Sequence, residues 1–298
     1  MTASTARQLK FDAIGAPWVI DIESDISDEL FAQASDDIAA RIETFDQTYS
    51  RFRADSLVTK AASTAGQYTL PDDAEILLKF YRQLYDVTDG MVTPLIGDVL
   101  ASAGYDAAYS LMPDKNISTA DRWDDVLKYD HPILTVTQPA ILDFGAAGKG
   151  YLVDIVGQIL HDRGINNFMV DASGDILRRT THGDSIRVGL EHPSDPTEAI
   201  GVAQLGSGSI CASAGNRRTW AGLHHIMNPY TATPVTGVIA TWVMAESTML
   251  ADGLATALFF TEASKLQAKF NFQFCLVRAD YSSESSAGFA AELFEAAA

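Results

Sequence analysis

Apolar and polar residues alternate with two different periods along this chain, and the switches between periods mark out its elements. The stretch 16–24, APWVIDIES, alternates as a strand does, whereas 26–50, ISDELFAQASDDIAARIETFDQTYS, repeats at helical spacing with Leu30, Ile38, Ile42 and Phe45 on one stripe. A second helix is predicted over 71–90, opened by Pro71 and two aspartates and closed by Gly90. Loop and short helix follow through VTPLIGDVLASAGYD, and the polar stretch from about 110 to 130 reads as an irregular excursion. The segment 140–177, AILDFGAAGKGYLVDIVGQILHDRGINNFMVDASGDIL, predicts a strand, a glycine-rich turn, a helix, a stop at Gly164 and a second strand. Leu152, Ile155, Val156, Ile159 and Leu160 give that helix its apolar face. Further strands are predicted at 185–192, 199–206, 209–214, 238–245 and 272–279, with one helix over 247–270 between the last two. Isolated helices among antiparallel-looking strands predict an α+β architecture. The expectation is one domain over 1–298, with any two-lobed division near 110–135.

Composition narrows the partners. A chain of 298 residues, 47% apolar, can bury a sizeable core. Its 21 Lys and Arg against 39 Asp and Glu give a net charge of −18, which argues against nucleic acid as a partner. An anionic ligand would need a metal ion or a local gathering of cations and helix N-termini. Cys211 and Cys275 lie far apart in apolar stretches without metal or redox spacing, so both are expected to be buried thiols. The opening MTASTARQLKFDAIG has neither an apolar run nor a lipidation cysteine, so the cytoplasm is the expected location. The most apolar window, VIATWVMAESTMLADGLATALFF, carries Glu246 and Asp252 and fails as a membrane span.

Five segments hold candidate chemistry. DFGAAGKGY is not a phosphate loop, because Asp143 stands where the first glycine is required, and Ala147 breaks the dinucleotide fingerprint. What remains is a turn allowing close backbone approach, with Lys149 at a helix N-terminus; a tight turn bearing a surface lysine fits equally well. In HHIMNPYTATP, adjacent histidines cannot both face one metal from a helix, which leaves proton transfer, ligand binding or plain solvation. SAGNRRTW, with Arg217 and Arg218, suits a phosphate or carboxylate, as does SRFRADS, with Arg51 and Arg53; solvated arginines and a salt-bridged turn are the alternatives. In ADGLATALFF, Asp252 and Thr256 lie one helical turn apart, an oxygen pair suited to a hard cation, unless Asp252 only caps the helix.

Taken in order, the segments resemble the ApbE-type FAD:protein FMN transferase family. The resemblance runs from FDAIGAPWVIDI through YSRFRADS, TDGMVTPLIGDVL, ILDFGAAGKGYLVD, VDASGDI, SAGNRRTW with HHIMNPYTATP, to ADGLATALF, the last matching a family ADALATALF signature. It implies an α+β fold of mixed or antiparallel sheets with flanking helices and an FAD cleft. By the same resemblance Mg²⁺ would be held by Asp252, Thr256 and the Gly148 carbonyl, with Lys149 helping to offset the pyrophosphate charge. Asp252 and His225 would carry the catalysis, and Ser50, Arg53, Asp175, Ser213, Arg217 and His225 would contact FAD. The implied reaction passes FMN from FAD to a Ser or Thr hydroxyl of an acceptor protein and releases AMP; an FAD pyrophosphatase and a non-catalytic flavin-binding protein are the alternatives. Four departures stand out: Asn228 and Ala232 replace the Asp and Gly of HxxDPxTG, Gly148 replaces the Ala of AKG, and Ser173-Gly174-Asp175 stands for the Gly-Gly-Asp turn. Asn228 retains a turn-forming side chain, so its loop is expected to survive.

Overall fold

The computed structural model describes residues 7–294; the first six residues of the opening segment, on which the expectation of no leader partly rests, lie outside the described residues. β1 (Arg7–Ala13) and β2 (Ala16–Ile22) form a hairpin whose two turn residues, Ile14 and Gly15, both take positive φ. Helix α1 (Asp28–Tyr49) starts at Ser27, whose hydroxyl accepts the Leu30 amide at 3.1 Å, and it buries Ile38, Ile42 and Phe45 as the stripe predicts. α2 (Leu57–Ser63), β3 (Gly66–Thr69), α3 (Ala74–Val87) and α4 (Gly97–Ser102) follow. The polar excursion then ends in α5 (Trp123–Val126), β4 (Leu127–Asp130) and β5 (Ile133–Val136), with β3, β5 and β4 forming a small sheet that the sequence did not reveal.

α6 (Gly148–Asp162) stops at Gly164, whose φ of 77° only glycine adopts freely, and leads to the hairpin β6 (Phe168–Ala172) and β7 (Asp175–Arg179). β8 (Ile186–His192), β9 (Asp195–Leu205) and β10 (Gly208–Ala214) come next. Two short ribbons follow, β11 (Thr219–Trp220) with β12 (Leu223–His224), and β13 (Met227–Asn228) with β14 (Thr233–Pro234). β15 (Val238–Ala245), α7 (Thr248–Ala257), α8 (Ala263–Gln267), β16 (Gln273–Arg278), β17 (Ser283–Ser285) and β18 (Ala291–Leu293) complete the described chain.

The central sheet has the order β1-β2-β6-β7-β10-β15-β16-β17, and every pairing in it is antiparallel. Side chains on each strand alternate between two cores. Cys211 and Val243 face the helices α1, α3, α6 and α7, while the adjacent Ile210 and Trp242 face the small sheet β8-β9-β18 on the other side. The result is an α+β sandwich of helices, large sheet and small sheet. Among the described residues, no helix is long and apolar enough to cross a membrane.

Two expected elements differ. Residues 141–144 are not a strand: the Ile141 amide bonds the Asp98 carboxylate and the Asp143 amide bonds the Pro94 carbonyl, so this backbone is satisfied without a neighbouring strand. The single helix expected over 247–270 is two. At the end of α7, Phe259 and Phe260 bond carbonyls three residues back, and Glu262 is extended before α8 begins.

Candidate active site

The site is centred where the start of α6 crosses α7. Gly150 permits the crossing: a Cβ there would sit 2.3 Å from the Thr248 carbonyl oxygen and 2.7 Å from the Asp252 Cβ. Asp252, only 6% exposed, accepts the Gly150 amide at 2.9 Å, so the anion at the positive end of α6 is the protein's own carboxylate. Asp252 is not the helix cap. Ser247 caps α7 through the Leu250 amide at 3.2 Å, and Asp154 of α6 accepts the Thr248 and Met249 amides at 2.7 and 2.8 Å. That leaves Asp252 without a role in helix initiation, and Thr256 lies half-buried one turn further along the same helix.

Across the crossing, Asp175 enters from the first position of β7, 1% exposed. The preceding turn, Ser173 at φ 57° and Gly174 at φ 97°, is a two-residue hairpin connection steadied by Asp171, whose carboxylate accepts the Gly174 amide at 2.8 Å. Lys149 reaches back to this hairpin, 2.6 Å from Asp175 and 2.8 Å from the Ala172 carbonyl. Burial works against the Lys149 ammonium, but the carboxylates of Asp175 and Asp252 outweigh it and hold its proton more tightly than in an ordinary lysine. Lys149, expected to help offset a pyrophosphate charge, is answered inside the protein by Asp175 and the Ala172 carbonyl. Burial and then the charge of Asp175 push the Asp252 carboxyl well above the usual range, against the pull of Lys149. An unanswered charge there would cost several kcal/mol, roughly. Ser213 lies on the same face of β10 as Ser209, which bonds the Thr248 hydroxyl at 2.9 Å, and Cys211.

The rim is formed by other segments. Of the two arginines in SRFRADS, Arg51 turns inward: its Nε lies 2.5 Å from Asp143, and its Nη1 donates to the Tyr105 carbonyl at 2.8 Å. Asp143 in turn accepts the Gly145 amide at 2.7 Å. Burial raises its proton affinity, but Arg51 and that amide win and hold the carboxyl below its ordinary range. Arg53, one of the expected ligand contacts, pairs with Glu43, Asp46 and Asp55 at 3.0, 3.2 and 3.0 Å. Ser50 ends α1 half-buried, its amide bonded to the Asp46 carbonyl. Likewise Arg217, expected at the ligand, pairs outward with Glu191 at 2.8 Å. Its neighbour Arg218 is the arginine whose charge is felt by Asp143, Asp252 and His225.

His225 stands beside this rim with a buried Nδ1 that has no hydrogen-bond partner. Burial, and then the charge of Arg218, hold its ring down to about 4, so it is neutral at physiological pH. The loop after it keeps its shape: Asn228 Oδ1 accepts the Tyr230 and Thr231 amides at 2.9 and 3.1 Å. Ala232, where the family has glycine, adopts a left-handed φ of 54°. Two residues beyond the expected set hold the elements of the crossing, one at the turn before α6 and one at the start of α7. Tyr81 is fully buried, and its hydroxyl accepts the Ala146 and Ala147 amides at 3.1 and 3.2 Å; Asp154 is the second, through α7.

Comparison with known proteins identifies the family and the fold. The ApbE family model matches residues 14–274. The chain belongs to the ApbE family. A Vibrio cholerae FAD:protein FMN transferase is 25% identical over 73% of this chain and 70% of its own length. One from Klebsiella pneumoniae is 24% identical over 89% and 81%. The crystal structure of a Thermotoga maritima ApbE protein superposes with a TM-score of 0.79 at 21% identity, covering 95% of this chain and 97% of its own. The Vibrio cholerae flavin transferase ApbE gives 0.78 at 20%, covering 95% and 98%. The ApbE fold expected from the sequence is the fold observed.

Asp252 and Thr256 offer a carboxylate and a hydroxyl, and Gly148 a main-chain carbonyl at the start of α6. Among the described residues, no three His, Cys, Asp or Glu side chains gather as a self-sufficient metal cage. A carboxylate, a hydroxyl and a main-chain carbonyl are oxygen donors of the kind a hard cation takes.

Proposed function

We propose that this ApbE-family chain transfers FMN from FAD to a Ser or Thr hydroxyl of an acceptor protein, with Mg²⁺ as cofactor and release of AMP. The observation that supports it best is Asp252, a carboxylate enclosed at the α6–α7 crossing, opposed by Asp175 and excused from helix capping. A cation there would offset the repulsion that burial enforces. Asp252, Thr256 and the Gly148 carbonyl would hold Mg²⁺, which supplies Lewis-acid polarisation of pyrophosphate oxygens. The acceptor hydroxyl oxygen attacks the FMN phosphorus, the bond from that phosphorus to the bridging oxygen breaks, and AMP departs with that oxygen. Neutral His225, its Nδ1 unpartnered, is available to take or relay the hydroxyl proton or to bind the ligand. Lys149 holds Asp175 against Asp252 and so sets the charge that the cation meets.

The test incubates the protein with FAD and Mg²⁺, with and without an acceptor domain bearing a Ser or Thr site, and follows AMP together with the acceptor's intact mass. A Mg²⁺-dependent gain of one FMN on the acceptor is expected. AMP without an adduct would make the protein an FAD pyrophosphatase, and FAD binding without either product would make it a non-catalytic flavin-binding protein.

A further inference from the structure

Resting on the flavin-transfer reading, we infer that Arg51 and Arg218 form the cradle for the phosphates of FAD. Two guanidinium groups converge on one ring: that of Arg51 lies 4.8 Å from the Tyr105 centroid and that of Arg218 lies 5.7 Å from it. Asp143 is the carboxylate between them, in contact with Arg51 and held ionised by the charges of both. Arg51 and Arg218 bring two cations to this rim, where the carboxylates of Asp143 and Asp106 feel the charge of Arg51, on a protein of net charge −18.

The donors are also unequal in a telling way. Arg51 is 7% exposed, and its Nε and Nη1 are taken by Asp143 and the Tyr105 carbonyl, yet its buried Nη2 has no partner. A buried guanidinium nitrogen without an acceptor is destabilising unless a ligand oxygen meets it. Arg218 is exposed, and among the described residues no carboxylate pairs with it. His225, held down by burial first and then by the Arg218 charge, contributes a second unpartnered buried nitrogen beside the rim. Lys149 is committed to Asp175, so besides the cation proposed at Asp252 these arginines are placed to share the charge of a pyrophosphate.

The test titrates FAD and, separately, inorganic pyrophosphate into the wild type, Arg218→Ala, Arg51→Lys and Arg217→Ala. The FAD dissociation constant is expected to rise about tenfold in Arg218→Ala and several-fold in Arg51→Lys, with pyrophosphate following FAD. An Arg218→Ala protein that binds both ligands like the wild type overturns the inference. So does a loss equal to or smaller than that in Arg217→Ala, which would reflect net charge alone or put the anion on the outer face. Arg51 also holds Asp143, so thermal melts accompany every titration, and Arg218→Ala decides the matter should Arg51→Lys fail to fold. A wild type that binds pyrophosphate through Arg218 but does not bind FAD would sustain the cradle and remove the flavin reading; binding of neither would remove both.

Discussion

The inner site around Asp252 and the rim around Arg51 use the same kinds of residue, but their polar atoms are left in opposite states. In the inner site each charge meets another part of the protein: Asp252 the Gly150 amide, Lys149 Asp175 and the Ala172 carbonyl, Asp154 the start of α7. At the rim, Arg51 Nη2 and His225 Nδ1 are buried and unanswered. The inner site is held together within the fold but sets two carboxylates, Asp252 and Asp175, against one lysine, so it is short of positive charge, whereas the rim holds buried nitrogens without a partner. The comparison teaches that the crossing calls for a cation and the rim for a ligand atom.

The largest effect that would test this division comes from Asp252→Asn. Asparagine keeps the shape and can still accept the Gly150 amide, but it removes the charge that Asp175 opposes. Turnover should fall roughly 10³-fold or more, while the metal-free protein should melt at the same temperature or be stabilised by about 1 kcal/mol. Calorimetry of both proteins without metal, beside an AMP-release assay, separates the two quantities. A variant that keeps full turnover would remove the cation role of Asp252, and one that fails to fold would make the carboxylate structural.

Gly150→Ala attacks the same region through packing. Its Cβ would lie 2.3 Å from a backbone oxygen, so α6 and α7 must part and Asp252 must shift with them. A loss of about 3 kcal/mol in chemical denaturation is expected, with activity falling further than stability. A wild-type denaturation midpoint would show that the crossing is looser than the contact distances require.

The rim should answer to pH instead. His225 is held down to about 4 against an ordinary value of 6.5 by burial first and then by Arg218. Between those values the unfolded chain binds a proton that the folded chain does not, so stability rises with pH across the window. The stability that His225 contributes is complete above pH 6.5 and is lost as the pH falls towards 4. Melting temperatures at pH 7.5 and 5.0 should therefore differ less in His225→Gln than in the wild type. Equal differences would place His225 in contact with solvent rather than beneath the rim.

How far the sequence foretold these two regions follows from the distances along the chain over which each contact acts. The stripe of α1 and the alternation in β2 were legible because every residue in them repeats the same choice between core and water. Asp252 was legible because a carboxylate among apolar helix positions asks for a partner. Asp154 was not, since the amides it caps lie 94 and 95 residues away, nor was Tyr81, which holds amides 65 and 66 residues distant. That Arg51 turns inward to Asp143 while Arg53 pairs with Glu43, and that Arg217 pairs with Glu191, depends on the direction in which an irregular loop turns each side chain, and a loop has no period to reveal it. The sheet β3-β5-β4 escaped notice because four-residue strands complete too few alternations.

The smallest effect concerns Gly148, two residues from Gly150 and at the start of the same helix. The family has alanine there, and the question is whether this chain needs its glycine. An added Cβ would meet the Phe144 Cβ at 3.4 Å and the Phe45 ring at 3.9 Å, ordinary contact distances, and the residue does not take a positive φ. Nothing in the packing therefore demands glycine, in contrast to Gly150. Gly148→Ala should stabilise the protein by about 0.5 kcal/mol, because alanine loses less chain entropy on entering a helix and buries a methyl group against Phe144. A candidate ligand at this position is a backbone carbonyl, which alanine also supplies, so turnover should be unchanged. Thermal melts and AMP release measured together decide it. Destabilisation would mean that the turn from Asp143 to Gly148 has less room than its contacts imply. Stability with lost turnover would mean that the ligand needs the space above Gly148, extending the ligand-completed region from the rim to the head of α6.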